Sequence, residues 1–341
     1  MSPLPKHILV IRLSAMGDVA MTIPVLRALT QQYPEVKLTV LTRAHFAPFF
    51  GDLTNVSVFE AEVKGKHKGI IGLWKLSRAI KKLNIDAVAD LHNVLRSNVL
   101  KTFLSKPCIQ IDKGRAEKKA LTSGQQFKQL KTTHQRYADV FAKLGFKLDL
   151  SQPSFRNKLP IPERMEYIIE ATERKTKKWV GVAPFAAHES KMYPLDKMKE
   201  VIKNLSKNHK VFLFGGGEKE VSILDTIAEN NKNVVNLAGK LSLDNELRVI
   251  SNLDLMLSMD SGNGHLAAMF GVKVVTIWGV THPYAGFAPF NQPTDYALTA
   301  NREEFPLIPT SIYGNKYPED YKDCAGSIPV EHIIDKVQSV L

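Results

Sequence analysis

Short runs of β-branched, apolar residues alternate with longer amphipathic segments along nearly the whole chain. Near-continuous hydrophobic runs are typical of strands in a parallel sheet that is covered on both faces, and the segments between them have the length of crossover helices. The predicted fold class is therefore α/β. The predicted strands cover residues 7–13, 36–42, 86–91, 178–183, 210–214, 254–258 and 273–277.

This alternation is interrupted near residues 148–162, where three prolines stand among polar residues without a sustained period. Such a stretch is typical of a linker between domains. A length of 341 residues also favours two domains, each large enough to bury a core of its own. We expect one domain over residues 1–155, a second over 156–341, and a ligand site in the cleft between them.

Several classes of protein are not expected from this sequence. No stretch approaches the roughly 20 uncharged apolar residues that a transmembrane helix needs, and the apolar start at 7–11 is followed at once by Arg12. We therefore expect neither a transmembrane segment nor a signal peptide. Cys108 and Cys324 lie far apart, so a disulfide framework or a zinc site is not expected and a reducing cytoplasm is the expected location.

The positive charge is concentrated in one part of the sequence. The chain has 46 Lys and Arg against 34 Asp and Glu, a net charge of +12, and residues 60–136 hold 17 basic and 6 acidic residues, or +11. Excess Lys and Arg attract phosphate, whether in nucleic acid, at a membrane surface or on a small molecule. The basic region has no aromatic interleaving and no recognised nucleic-acid module, so nucleic acid is not the expected partner.

Polar residues follow two predicted strands of the first domain, where the carboxyl ends of parallel strands place ligand sites. After the first strand, Gly17 permits a tight turn and Asp18 falls in the first turn of a helix. Asp18 is either functional or a simple complement to the helix N-terminus. After the strand that ends near residue 91, His92 and Arg96 are candidates for holding an anionic acceptor, while Asp90 is either functional or a loop residue.

Two turns of the second domain can contact a nucleotide. Lys191 lies just before a helix predicted to start at Pro194, where a lysine can reach a phosphate as a flexible point charge. Three glycines at 215–217 separate a strand from a helix, and glycine allows close approach of the backbone to a ligand. Glu218 or Glu220 can accept hydrogen bonds from ribose hydroxyls, or both can be ordinary acids at a helix start.

A further turn, Asp-Ser-Gly-Asn-Gly-His at residues 260–265, gives the sharpest signal. It follows a buried strand, and Asp260 or Ser261 can cap the helix that begins there. A helix start of this kind binds phosphate oxygens through its free N–H groups, and His265, one turn further on, can donate to the same oxygens.

Taken together, these segments resemble the ADP-heptose:lipopolysaccharide heptosyltransferases, glycosyltransferase family 9. The resemblance covers nearly the whole chain. Its main motifs are RLSAMGDV at 12–19, DSGNGHLA at 260–267 and VVTIWGVTHP at 274–283, with support from KMYP at 191–194, from the turn at 215–220 and from the tail at 324–333.

This resemblance implies a GT-B type fold, with two facing Rossmann-like domains, parallel sheets and an interdomain cleft. The first domain would bind the acceptor and the second the nucleotide sugar, and the C-terminal helix would pack back on the first domain. It also implies an inverting, metal-independent transfer of a heptose or related sugar, with ADP-heptose as the expected donor and a lipopolysaccharide core as acceptor. The sequence contains no Asp-x-Asp triplet.

The roles implied for individual residues follow the same motifs. Asp18 corresponds to the general base. The residues implied in donor binding are Lys191 for the diphosphate, Glu220 for the nucleoside, Asp260 for sugar hydroxyls, and Ser261, Gly262 and His265 for phosphate. The residues expected to bind the acceptor are Ser14, Gly17, His92 and Arg96. No metal and no cofactor are expected, because the nucleotide sugar is a substrate.

One departure from the family pattern concerns Ala186 and Ala187, which stand where many members have hydroxyl residues that contact phosphate. His188, Ser190 or backbone amides would have to replace those hydrogen bonds. We expect a cytoplasmic protein, peripheral at the inner face of the inner membrane, where a phosphorylated glycolipid acceptor is found. The alternatives are a sugar-nucleotide epimerase or hydrolase of the same fold, a non-catalytic sugar-nucleotide sensor, and a non-catalytic protein that binds anions or nucleic acid.

Overall fold

The computed structural model describes residues 3–163, 165–166 and 176–341. These residues form two compact units. Unit 1 comprises residues 1–113 and 131–155, and unit 2 comprises residues 114–130 and 156–341. No helix in the described ranges is both long enough and apolar enough to span a membrane.

All paired strands are parallel, and they form one sheet in each unit. The strands of unit 1 are β1 His7–Ile11, β2 Lys37–Thr42, β3 Val56–Glu60, β4 Ala87–Asp90 and β5 Cys108–Gln110. The strands of unit 2 are β6 Trp179–Ala183, β7 Lys210–Leu213, β8 Val234–Asn236, β9 Leu255–Met259, β10 Lys273–Trp278 and β11 Ala297–Thr299.

Helices follow the strands along the part of the chain that the structure describes. They are α1 Met16–Ala20, α2 Thr22–Gln32, α3 Gly69–Lys81, α4 Leu95–Leu104, α5 Arg115–Thr122, α6 Thr133–Lys143, α7 Leu195–Leu205, α8 Glu218–Ala228, α9 Leu243–Ser251, α10 Gly262–Ala268 and α11 Val330–Val340. The α/β class is thus confirmed. The seven strands predicted from apolar runs are confirmed as β1, β2, β4, β6, β7, β9 and β10.

The sheet of unit 1 has the order β3-β2-β1-β4-β5. Its central strand β1 is buried from Ile8 to Ile11, with Ile8 in register with Leu38 on one side and Ala87 on the other. Because β1 has a strand on each side and helices over both faces, only apolar residues fit along it. The chain therefore turns polar only past its carboxyl end, at Arg12.

The sheet of unit 2 has the order β11-β10-β9-β6-β7-β8, with β9 and β6 at its centre. The C-terminal helix α11 packs against α7 and against β9 and β10. Its apolar face, including Ile333 and Val337, lies in the core of unit 2. This face is therefore used within unit 2. The packing of the helix on the first domain, which the resemblance implied, stays a prediction.

Segment 114–130 differs from the domain limits expected from sequence, because its contacts place it in unit 2. Leu121 and Leu130 form an apolar cluster with Ala285, and the Leu130 amide donates to the carbonyl oxygen of Tyr284 at 2.9 Å. No break in composition at this segment separates it from its neighbours in the sequence. The chain next leaves unit 1 at residue 155, inside the expected linker.

Candidate functional site

The turn after β1 places a carboxylate beside a buried guanidinium. The Nη2 atom of Arg12 lies 2.5 Å from Oδ2 of Asp18, and Nη1 of Arg12 donates to the carbonyl oxygen of Leu91 at 2.8 Å. The Arg12 side chain is 9% exposed and the Asp18 side chain 28% exposed. Arg12 therefore holds the Asp18 carboxylate in one orientation while leaving it accessible from outside.

Asp18 also stabilises the start of α1, as the simpler interpretation of the sequence predicted. Its Oδ2 accepts a hydrogen bond from the Ala15 amide at 3.2 Å. The Tyr137 hydroxyl donates to the backbone carbonyl of Asp18 at 3.2 Å, and burial raises the pKa of Tyr137 well above its usual value. The carboxylate is thus positioned by a backbone amide and a cation, and the helix turn carrying it is fixed by a buried phenol.

His92 lies in the turn after β4, near this ion pair. Burial, together with the positive charge of Arg12, lowers the pKa of His92 to about 4. Its imidazole is therefore neutral near pH 7, and its buried Nδ1 has no hydrogen-bond partner among the described residues. A neutral imidazole can donate or accept a hydrogen bond without adding positive charge beside Arg12.

Asp90 has a structural role in the same turn. It is fully buried, and its Oδ1 accepts hydrogen bonds from the amides of His92 at 3.0 Å and Asn93 at 2.8 Å. Its Oδ2 accepts from Nε2 of Gln110 at 2.8 Å. The loop interpretation of Asp90 is therefore correct, and this carboxylate shapes the backbone around His92.

The remaining residues expected to bind the acceptor lie in these same two turns. Ser14 and Gly17 are partly buried in the turn after β1 and at the start of α1, and Arg96 is partly buried in the first turn of α4. Parallel strands end at the same edge of a sheet, so both turns lie at the carboxyl edge of the unit 1 sheet.

A second ion pair lies at the carboxyl edge of the unit 2 sheet. Nζ of Lys191 lies 2.7 Å from Oδ2 of Asp260, with the two side chains 13% and 10% exposed. Oγ1 of Thr281, which is buried just after β10, donates to the same Asp260 oxygen at 2.9 Å. The structure thus brings together two residues that are 69 positions apart and that the resemblance assigned to the donor.

Close backbone packing fixes the loop that carries Lys191. A Cβ atom at Gly279 would lie 2.3 Å from the carbonyl oxygen of Ser190, and one at Gly314 would lie 2.6 Å from Cγ and Cδ of Lys191. The hydroxyl of Ser190 is fully buried and donates to the carbonyl oxygen of Gly314 at 2.6 Å. Only glycine fits at these two positions, and the Ser190 hydroxyl is already used inside the protein.

The turn after β9 places the other expected donor residues next to Asp260. Ser261 is the residue before α10, and its buried Oγ has no hydrogen-bond partner within the part of the chain that the structure describes. Gly262 is the first residue of α10, and His265, one turn further on, is 9% exposed. Ser261 therefore has a hydroxyl that can bond to a ligand next to the Lys191–Asp260 pair.

Glu220 lies in a pocket on the same side of unit 2. Its Oε2 accepts a hydrogen bond from the Gly216 amide at 2.7 Å, so it stabilises the glycine turn before α8. It also lines a cavity of about 310 Å³ together with Phe185, Met192 and Ile223. A cavity with an apolar wall and a carboxylate at its edge can accept an aromatic base with an attached ribose.

Sequence reasoning missed Arg12 and Thr281 as parts of the site. Both lie in motifs that carry the resemblance, Arg12 directly after β1 and Thr281 three residues after the end of β10. An arginine directly after a buried strand is a signal that a buried charge has a partner nearby. Thr281 offered no comparable signal, because its contact depends on how β9 and β10 pair in the sheet.

The family model of glycosyltransferase family 9 (heptosyltransferase) matches residues 73–306 of this chain. The chain is 25% identical over 305 residues to the lipopolysaccharide core heptosyltransferase OpsX of Haemophilus influenzae, covering 84% of this chain and 82% of that one. The crystal structure of a family 9 glycosyl transferase from Veillonella parvula is similar, with a TM-score of 0.75, 19% identity, and coverage of 98% and 97%. E. coli heptosyltransferase WaaC with ADP has a TM-score of 0.69, 19% identity, and coverage of 98% and 100%.

The fold is thus that of a two-domain GT-B glycosyltransferase. The chain belongs to glycosyltransferase family 9, the heptosyltransferases.

Proposed function

We propose that this protein transfers a heptose from ADP-heptose to a lipopolysaccharide core acceptor, with inversion at the anomeric carbon. The observation that carries the proposal is the Lys191–Asp260 pair beside the Ser261 hydroxyl, in a chain that belongs to a heptosyltransferase family. The names of its relatives support the sugar and the acceptor, and the ADP complex of WaaC supports the nucleotide.

On the donor side, Lys191 contacts the diphosphate and Asp260 holds sugar hydroxyls. In this structure the Lys191 ammonium is neutralised by Asp260 at 2.7 Å, so it exchanges part of that contact for phosphate when the donor binds. Ser261, Gly262 and His265 supply hydrogen bonds to phosphate oxygens. Glu220 accepts from ribose hydroxyls at the edge of the cavity, whose apolar wall receives the base.

The alanines at 186 and 187 remove two hydroxyls from the phosphate side of this site. Ser190 does not replace them, because its hydroxyl is buried against Gly314. His188 and backbone amides are therefore the groups that supply the missing hydrogen bonds. For that reason we expect the affinity for phosphate to depend more strongly on Lys191 than it would with hydroxyl residues at 186 and 187.

On the acceptor side, Asp18 is the general base. The acceptor oxygen attacks the anomeric carbon, the bond from that carbon to the diphosphate breaks, and the hydroxyl proton passes to Asp18. The leaving ADP carries away the bonding pair, and its negative charge is countered by Lys191 without a metal or other cofactor. Ser14, Gly17, His92 and Arg96 contact the acceptor, and Arg12 positions Asp18.

We further propose that the protein works in the cytoplasm at the inner face of the inner membrane, because a lipopolysaccharide core is built on a lipid. The partners are then ADP-heptose and a phosphorylated glycolipid. The basic residues concentrated between positions 60 and 136 are suited to an anionic acceptor of this kind.

A transfer assay with radiolabelled ADP-heptose and a heptose-free core acceptor tests this proposal. We expect label in the glycolipid, ADP released in equal amount, and loss of transfer in Asp18→Asn with donor binding unchanged. ADP release without acceptor at the same rate would instead identify a hydrolase, and altered sugar without transfer an epimerase.

A thermal-shift comparison of ADP, UDP, GDP and CDP tests the nucleotide, because a ligand that binds the folded state raises its melting temperature. ADP should raise it most. Selectivity for another base would reject ADP-heptose as the donor, whereas transfer from another sugar nucleotide would retain the glycosyltransferase and change only its substrate.

A further inference from the structure

Helix α3 carries large apolar side chains on its outer face as well as its inner one. Leu73, Leu76 and Ile80 belong to the core of unit 1. On the other side, Ile70 is 68% exposed, Ile71 73% exposed and Trp74 49% exposed. Three large apolar residues exposed within five positions form a contiguous patch, which marks an interaction surface when basic or polar residues surround it.

Exposed basic residues flank this apolar patch in the sequence. Between residues 61 and 82 the chain holds seven basic residues and a single acidic one, Glu62. All seven are exposed: Lys64, Lys66, Lys68, Lys75, Arg78, Lys81 and Lys82. The guanidinium of Arg78 lies 5.6 Å from the centre of the Trp74 ring. We call these basic residues together with Ile70, Ile71 and Trp74 the α3 surface.

The loop before α3 is held against the helix, so the backbone that carries its lysines lies next to the first turns of α3. The imidazole of His67 is buried, and its Nδ1 accepts a hydrogen bond from the Glu62 amide at 3.0 Å. A Cβ atom at Gly72 would lie 2.4 Å from the carbonyl carbon of His67, so the loop packs directly on the first turns of α3.

The α3 surface begins at the same edge of the sheet as Asp18. Helix α3 follows β3, α4 follows β4, and α1 follows β1, and these strands are parallel. The helices therefore all start at the carboxyl edge of the unit 1 sheet. Helix α4, which packs on α3, begins with Leu95, and that side chain is 80% exposed.

We propose that the α3 surface docks on an anionic phospholipid bilayer. The apolar patch enters the interface between headgroups and acyl chains, and the surrounding lysines bind anionic headgroups. Tryptophan favours this interface because its ring is amphipathic. The purpose of this docking rests on the proposed function, because docking at this edge brings a glycolipid acceptor to Asp18. Isoleucines have no flat face on which bases stack, which argues against a single-stranded nucleic acid.

Vesicle binding by the full chain, without donor or acceptor, tests the docking independently of transfer. The chain has three tryptophans, and Trp179 and Trp278 are 2% and 1% exposed, so Trp74 is the one that solvent reaches. Vesicles with roughly a third phosphatidylglycerol should shift the tryptophan fluorescence emission to shorter wavelength, and vesicles of pure phosphatidylcholine should not. Trp74→Phe should still sediment with vesicles but lose the shift.

Variants separate the apolar and the electrostatic contribution. Ile71→Ser/Trp74→Ser should lower partitioning onto anionic vesicles at least about tenfold. Lys64→Ser/Lys68→Ser should lower it about tenfold as well, with a weaker dependence on salt. As matched controls in unit 2, Leu307→Ser, at a side chain 60% exposed, and Lys203→Ser/Lys207→Ser should change it less than about twofold.

Circular dichroism establishes that each variant is folded, and Ile71→Ser/Trp74→Ser should retain transfer to a short acceptor without lipid chains. Three outcomes would each overturn the docking proposal: the chain binds zwitterionic and anionic vesicles equally, it binds without a shift in tryptophan emission, or the control variants lose as much vesicle binding as the variants of the α3 surface. Normal docking with no heptose transfer would instead contradict the proposed function alone. Tight binding of duplex or single-stranded nucleic acid by the same lysines, with no vesicle binding, would replace the bilayer as partner.

Discussion

Lys191 and Asp260 form an ion pair of 2.7 Å in which neither side chain is more than 13% exposed. One residue comes from the loop after β6 and the other from the end of β9, the strand that neighbours β6 in the sheet. The sheet thus places a cation and an anion together at its carboxyl edge. A ligand that binds there must either contact both charges or separate them.

The first prediction concerns the stability of this pair. Lys191→Met and Asp260→Asn should each destabilise the protein by roughly 2 kcal/mol or more, because each leaves a buried charge without its partner. The double variant should lose less than the sum, with a coupling energy above about 1 kcal/mol in urea unfolding. The exposed pair Lys199–Asp196, with side chains 46% and 94% exposed, is the control and should couple by less than about 0.5 kcal/mol. Strictly additive effects at Lys191 and Asp260 would contradict the prediction.

A second prediction separates the roles of the two partners toward the nucleotide. Lys191→Ala should weaken ADP binding at least about tenfold, since it removes a charge-assisted contact to phosphate. Asp260→Asn should leave ADP binding unchanged or improve it, because the Lys191 ammonium is no longer neutralised, while transfer of heptose falls. Calorimetric titration with ADP measures both. Equal losses of ADP affinity in the two variants would show that the pair acts only as a structural unit.

The sequence predicted the central strands and missed the edge strands, for a physical reason. The strands absent from the seven predicted runs are β3, β5, β8 and β11, and each lies at an edge of its sheet. β5 is the three residues Cys-Ile-Gln, all partly exposed, and every position of β3 is partly exposed or exposed. A strand with one neighbouring strand and a solvent-exposed side needs no continuous apolar run, so its hydrophobicity pattern does not differ from that of a loop.

The site was predictable where a residue follows a buried strand, and not where it depends on packing between distant segments. Asp260 follows β9 directly and Asp18 lies in α1, the first helix after β1, and the sequence placed both at a sheet edge. By contrast, the approach of Gly279 to Ser190 joins segments that are 89 positions apart, and nothing local to either residue encodes it. The Ser190 hydroxyl, a candidate phosphate ligand from sequence, is for the same reason occupied by Gly314.

A third prediction concerns the position of the base. Arg12→Met should lower the rate of transfer about 100-fold, since Asp18 loses the cation that orients it and a small displacement of a catalytic group is costly. ADP affinity should not change, because the residues assigned to ADP lie in unit 2. Steady-state kinetics and calorimetry give the two values.

Arg27 is the matched control for Arg12. It pairs with Asp52 at 2.6 Å, and the side chains are 10% and 28% exposed, against 9% and 28% for Arg12 and Asp18. Arg27→Met should therefore cost similar stability and leave turnover within about twofold of the parent. If both variants lose turnover equally, Arg12 has no role beyond folding.

A fourth prediction tests whether close packing positions Lys191. Gly279→Ala places a Cβ atom 2.3 Å from the Ser190 carbonyl oxygen, so the backbone before Lys191 must shift. We expect a loss of about 2 kcal/mol in stability and a weaker affinity for ADP. In Gly216→Ala, the new Cβ has no neighbour within 4 Å, so stability should change by less than about 0.5 kcal/mol. Unchanged ADP affinity in Gly279→Ala would show that Lys191 does not need this packing.

The last prediction is a pH dependence that arises away from the site, at Glu246 in the first turn of α9. Burial raises the pKa of Glu246 from 4.5 to about 7 in the folded protein. The folded state therefore holds its proton at a pH where the unfolded chain has released it, and the free energy of unfolding falls as pH rises from 4.5 to about 7. Glu246→Gln removes this loss, so near pH 8 the variant should be more stable than the parent by about 1 to 3 kcal/mol. Near pH 5 most of this difference should vanish.

The control is Glu331, an exposed residue in the first turn of α11. Glu331→Gln also removes a charge from a helix start, but from a carboxylate that is not buried. It should change stability by at most a few tenths of a kcal/mol at either pH. Urea unfolding at the two pH values measures both variants. An advantage of Glu246→Gln that does not grow with pH would refute a partly buried, protonated carboxyl at this position.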